Sequence, residues 1–98
     1  DTIYGGDGSD TLDYSSRTSS IKVTLAGSDF ATVTEAGTAK DSIMDVENII
    51  GGSNDDIING DDRDNILIGG AGQDTISGGK GNDTLYGGDG QDILIILL

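Results

Sequence analysis

Six aspartates of this chain, Asp1, Asp10, Asp56, Asp74, Asp83 and Asp92, hold the same place in a nine-residue unit, and Asn65 stands where one more is due. Each complete unit opens on a glycine: Gly5, Gly51, Gly60, Gly69, Gly78 and Gly87. A carboxylate at a fixed distance after a glycine-rich turn offers two kinds of oxygen ligand. Glycine reaches backbone dihedrals closed to other residues, so several carbonyls of one short turn can point the same way, and the carboxylate then closes the shell. A hard divalent cation such as calcium, which takes roughly six to eight carboxylate and carbonyl oxygens, suits that set. Catalysis is a poor alternative. The chain has no histidine or cysteine, and no serine lies in a nucleophile motif. Paired carboxylates can hydrolyse glycosides, but here they belong to a repeat, so no intrinsic enzyme activity is expected.

The elements that must position these carboxylates are legible in the same period. From Gly51 to Ile95 the chain reads GGSNDDIIN, GDDRDNILI, GGAGQDTIS, GGKGNDTLY and GGDGQDILI without an insertion, and GGDGSDTLD stands apart at Gly5 to Asp13. Position eight is always aliphatic: Ile3, Leu12, Ile58, Leu67, Ile76, Leu85 and Leu94. Glycine, carboxylate and aliphatic columns that coincide at one spacing are specific. The pattern resembles that of the RTX (repeats-in-toxin) family over roughly half the chain. The resemblance implies an all-β fold, a parallel β-roll in which six residues turn and hold metal and three form a short strand.

It also implies that each calcium ion sits between turns on the same edge of the roll. That pairs Asp56 with Asp74, Asp74 with Asp92 and Asn65 with Asp83. Carbonyls of Gly51, Ser53, Gly60, Asp62, Gly69, Ala71, Gly78, Lys80, Gly87 and Asp89 would contribute, for about three to five ions in all. Two features depart from the pattern. Gly60-Asp61-Asp62-Arg63 lacks the second and fourth glycines, and Asn65 carries no charge. The Asn65–Asp83 site is therefore expected to be weak, or completed by Asp62 or Asp64. Asp10 has no partner in register and is expected to bind only with a further turn upstream; a Glu47–Asn65 site is the less favoured addition.

Composition points the same way. Eighteen acidic residues against five basic ones give a net charge of −13, with seventeen glycines, three tyrosines and one phenylalanine. So acidic and core-poor a chain tends to stay unfolded unless a ligand neutralises it. It also repels nucleic acid. No stretch is long and apolar enough for a transmembrane helix. With no cysteine to form disulfides, a small exported domain needs another staple, and metal can supply it. At stacked-strand spacing of about 4.8 Å, two bare carboxylates repel by roughly 3 kcal/mol at an effective dielectric near 20, and a cation between them reverses the sign.

Taken in order, residues 1–13 are partial repeats, and the start in mid-repeat without a methionine reads as a segment of a longer protein. Residues 14–41 are an insertion. Ile21-Lys22-Val23-Thr24-Leu25 alternates like a half-buried strand, Ala26 to Asp29 is a turn, and Phe30 to Thr34 returns, making a β-hairpin; Gly37 to Lys40 is read as loop. Residues 42–50 form a capping coil, with Glu47 on the carboxylate position and Ile49 on the aliphatic one. Residues 51–95 are the main array, whose strands alternate between two sheets, with 48–50, 66–68 and 84–86 in one and 57–59, 75–77 and 93–95 in the other. The stripe Ile50, Ile66, Ile68 and Tyr86 faces outward on the first sheet; either the hairpin covers it through Ile21, Val23 and Leu25, or it is ordinary β-propensity on an exposed sheet. Residues 96–98 are an apolar tail or truncated cap; an edge for self-association and an engineered tail fit equally well.

The resulting expectation is a calcium-binding module of a secreted bacterial-type protein, disordered without calcium and folding in extracellular calcium to assist secretion. Its partners are calcium and the rest of the parent protein. An adhesin-type or carbohydrate-binding segment is the alternative.

Overall fold

Six residues rich in glycine can reverse the chain, and the three that follow, centred on one aliphatic side chain, suffice for a short strand. Each nonapeptide therefore lays down one strand and passes the chain to the opposite side. The computed structural model describes residues 1–96. Its strands are β1 (Thr2–Tyr4), β2 (Thr11–Asp13), β3 (Ile21–Thr24), β4 (Ala31–Glu35), β5 (Thr38–Met44), β6 (Asn48–Ile50), β7 (Ile57–Asn59), β8 (Ile66–Ile68), β9 (Thr75–Ser77), β10 (Thr84–Tyr86) and β11 (Ile93–Ile95).

They form two sheets. The four-stranded sheet has the order β2-β6-β8-β10, and every neighbouring pair in it is parallel. The seven-stranded sheet runs β1-β5-β4-β3-β7-β9-β11. Asn48, Ile66 and Thr84 lie side by side in one sheet, and Ile57, Thr75 and Ile93 in the other, so the coils stack every second repeat. This is the parallel β-roll that the period implies. The middle residue of each strand points between the sheets: Ile49, Ile58, Leu67 and Ile76 are all 0 % exposed. Their flanking residues point out, and Ile66 and Tyr86 stay exposed.

The insertion differs from its sequence reading in two respects. First, it does not cover the outward stripe. β3 pairs edge to edge with β7, parallel, with Val23 opposite Ile58, and Ile21, Val23 and Leu25 are buried in the roll's own core. The physical reason is the open edge of β7. Its unpaired backbone groups must be satisfied, and β3 does so while aligning its apolar face with that of the array. Second, Gly37 to Lys40 is not a loop. Ala36 (φ 51°) and Gly37 (φ 82°) make a two-residue turn, and β5 starts at Thr38. Two positive φ angles in succession mark the tight hairpin turn whose twist matches that of the flanking strands. β3, β4 and β5 thus form an antiparallel meander set into a parallel sheet.

β5 then pairs with β1, Thr2 opposite Ser42 and Tyr4 opposite Met44, while β6 pairs with β2. Residues 42–44 are therefore strand, and the turn of the coil at 42–50 shrinks to Asp45, Val46 and Glu47. Tyr14 closes this end of the core, its hydroxyl donating to Asp41 Oδ2 at 2.6 Å in a buried contact. Of the apolar C-terminal run, Ile96 is 70 % exposed; residues 97–98 lie outside the described residues.

Candidate metal centre

Because strands alternate between sheets, turns alternate between the two edges of the roll. One edge carries residues 51–56, 69–74 and 87–92; the other carries 5–10, 45–47, 60–65 and 78–83. Sixth-position side chains on one edge stack over each other. The amide of Asp56 donates to Asp74 Oδ1, that of Asp74 to Asp92 Oδ1 and that of Asn65 to Asp83 Oδ1, each at 2.8 Å. The pairs anticipated from the period are thus neighbours in space.

Asp10 also has a neighbour. Its amide donates to Glu47 Oε1 at 2.9 Å, a pairing that the shortened turn 45–47 creates by bringing β5 and β6 alongside β1 and β2. Asp62 and Asp64, considered as supplements to Asn65, are both exposed, and Asp64 Oδ1 accepts the Asn82 amide at 2.8 Å. The carboxylate that does reach Asn65 is Asp61, whose Oδ1 accepts from Asn65 Nδ2 at 3.2 Å. Sequence reasoning passed over Asp61; an aspartate replacing the second glycine, two residues before an arginine, was the available signal.

The arrangement fits a hard cation on three counts. Asp74 Oδ2 and Asp10 Oδ2 are buried and accept no hydrogen bond, which is costly for a carboxylate unless something positive meets it. A Cβ added to Gly51 would stand 2.6 Å from Asp56 Oδ2 and 2.7 Å from the Gly69 carbonyl oxygen. Carboxylate and carbonyl oxygens of successive same-edge turns therefore converge beside the opening glycine, and a side chain there would fill the space. Finally, no three carboxylates stand so that they could hold a metal ion by themselves among the described residues, so carbonyls must complete any shell, as hard-cation sites allow.

The turns are not alike. Gly6, Gly70, Gly79 and Gly88 have φ between 75° and 89°, and Gly8, Gly72, Gly81 and Gly90 between 90° and 102°. Turns 51–56 and 60–65 have no positive φ. Both abut the insertion: the Ser53 amide donates to Arg17 O at 3.0 Å, and the Gly27 amide to Asp61 Oδ2 at 3.2 Å. Both oxygens of Asp56 already accept backbone amides, from Ile21 at 2.8 Å and Gly52 at 2.9 Å. Among the remaining proposed carbonyl donors, Gly69 and Gly78 are buried and Gly60 and Gly87 half-buried, whereas Ser53, Asp62, Ala71, Lys80 and Asp89 stand at exposed crests.

Electrostatics mark Asp74 as the most stressed member. Burial, with the Asp56 and Asp92 carboxylates on either side, pushes its pKa up to about 6 against the hydrogen bond from the Asp56 amide. Asp56 is also raised, chiefly by burial. Asp61 goes the other way: burial would raise it, but hydrogen bonds from Arg63 and Asn65 hold it below the ordinary range. The sign for Asp74 is clear. Its folded pKa lies above the unfolded value of 3.8, so the metal-free fold gains stability as pH falls through about 6 and loses it on return to neutrality. The gain, complete below the unfolded pKa, is about 3 kcal/mol. Acidifying the chelated protein from pH 7 to about 4.5 is expected to increase its β-sheet circular dichroism; a flat or falling signal refutes it.

The family model for the RTX calcium-binding nonapeptide repeat matches residues 1–16 and 59–94, in four copies. No curated protein sequence matches the chain.

Proposed function

Because the chain belongs to the RTX calcium-binding nonapeptide-repeat family, we propose that it is a calcium-triggered folding module, acting in the export and extracellular folding of the protein that carries it. The repeat binds calcium and is not itself catalytic; any activity belongs to the rest of that protein. The observation that carries the reading is the buried aspartate stack, above all Asp74 with its unsatisfied Oδ2 between two further carboxylates.

Asp74 with Asp92, and Asp56 with Asp74, would hold ions on one edge, and Asn65 with Asp83 on the other. Carbonyls of Gly51, Gly60, Gly69, Gly78 and Gly87 would complete the shells. Calcium bound there supplies positive charge where the fold otherwise crowds negative charge. At the micromolar calcium or less of a cell interior the acidic chain stays extended, a form that suits passage through an export channel. Outside, it folds. An affinity of about 10⁻⁴–10⁻³ M, common for extracellular modules, sets the switch between those conditions. Circular dichroism in chelator and in millimolar calcium tests the reading. A disordered spectrum turning to β-sheet is expected, and identical β content in both refutes it.

A further inference from the structure

Arg63 breaks the repeat. It occupies the fourth position of its turn, where four other turns have Gly8, Gly72, Gly81 and Gly90 and the turn 51–56 has the uncharged Asn54. Its guanidinium lies between turns 45–47 and 60–65, the place on this edge that corresponds to an ion site, since Glu47 and Asn65 are the two sixth-position residues there. Nη1 is 2.6 Å from Glu47 Oε2 and 3.5 Å from Asp45 Oδ1. Nη2 donates to Asp61 Oδ2 at 3.1 Å and to the Val46 carbonyl at 3.4 Å. Three carboxylates and a carbonyl thus surround one positive group, a fork of N–H donors standing where the repeat would otherwise place an ion.

The same cluster ties in the insertion. Asp61 Oδ2 accepts the Gly27 amide, and the Asp45 amide donates to Gly27 O at 3.1 Å. Asn65 Nδ2 donates to Glu47 O at 2.8 Å. An amide can donate where a carboxylate would add charge, so Asn65 suits an arginine-filled corner better than an aspartate would. The departures at Asp61, Arg63 and Asn65, which look like decay of the repeat, form one consistent set.

We infer that Arg63 is a built-in cation replacing calcium at the junction of insertion, cap and array, so that this corner takes no metal and closes independently of calcium concentration. The inference rests on the calcium reading for the other corners. Isothermal titration with calcium and circular dichroism compare the parent with Arg63→Gln. Leaving Asp45, Glu47 and Asp61 without a counter-charge should create a demand for a cation. The expected result is one further calcium bound per chain and a folding midpoint raised several-fold. An unchanged ion count with an unchanged midpoint overturns the inference. If the variant fails to fold at any calcium concentration, a triple variant that also carries Asp45→Asn and Glu47→Gln decides. Removing the cation together with two of its carboxylates should restore folding at the parental ion count, and a triple variant that still cannot fold overturns the inference. A parent that binds no calcium at all would instead defeat the proposed function, so the two failures are distinct.

Discussion

Asp74→Asn is expected to act in opposite directions on the metal-free and calcium-loaded protein. Without calcium, the substitution removes a buried charge flanked by Asp56 and Asp92. Charges at strand spacing repel by roughly 3 kcal/mol at an effective dielectric near 20, and asparagine still presents an oxygen to the Asp56 amide, now held at 2.8 Å by Asp74 Oδ1. Residual structure in chelator should therefore rise. With calcium the sign reverses, because Asp74 is the one carboxylate shared by two stacked pairs. Losing its charge weakens both corners, and a loss of only about 1.4 kcal/mol is already tenfold in affinity. The calcium midpoint of folding should move up about tenfold or more. Asp29→Asn, at an exposed position in the hairpin turn, is the control for net charge and should change neither quantity. Equal shifts for the two variants would show that overall charge, and not the stack, governs folding.

Val23→Asp should abolish cooperative folding even in saturating calcium. Val23 is 1 % exposed, lies opposite Ile58 in β7 and joins the shared core. A carboxylate there has no cation to meet, and burying an unpaired charge costs several kcal/mol, against a total stability of about 5–15 kcal/mol for a domain. Calcium at the corners neutralises carboxylates of the turns and cannot reach one placed between the sheets. Its neighbour Lys22 is exposed, and Lys22→Gln should stay within about 0.5 kcal/mol of the parent. The pair of variants reads the alternation of β3 directly. A folded, calcium-responsive Val23→Asp protein would mean that this strand lies outside the core.

The period by itself determined the fold class, the strands of the array, their division between two sheets and the buried column through Ile58, Leu67 and Ile76. It could do so because a nonapeptide is a local code. One turn and one strand need nothing beyond their own nine residues to be specified, and stacking identical units fixes the register. The candidate pairs Asp56–Asp74, Asp74–Asp92 and Asn65–Asp83 were legible for the same reason. Only the tertiary structure decided what happens where the period stops. That β3 slots in beside β7, that β5 runs alongside β1, and that Asp10 meets Glu47 depend on which sheet edge is free to pair, a property of the assembled roll and of no single segment. Arg63 shows the difference most sharply. In the sequence it is a missing glycine, and in the fold it is a positive charge held by Asp45, Glu47 and Asp61, because a long side chain can bridge turns that the sequence sets far apart.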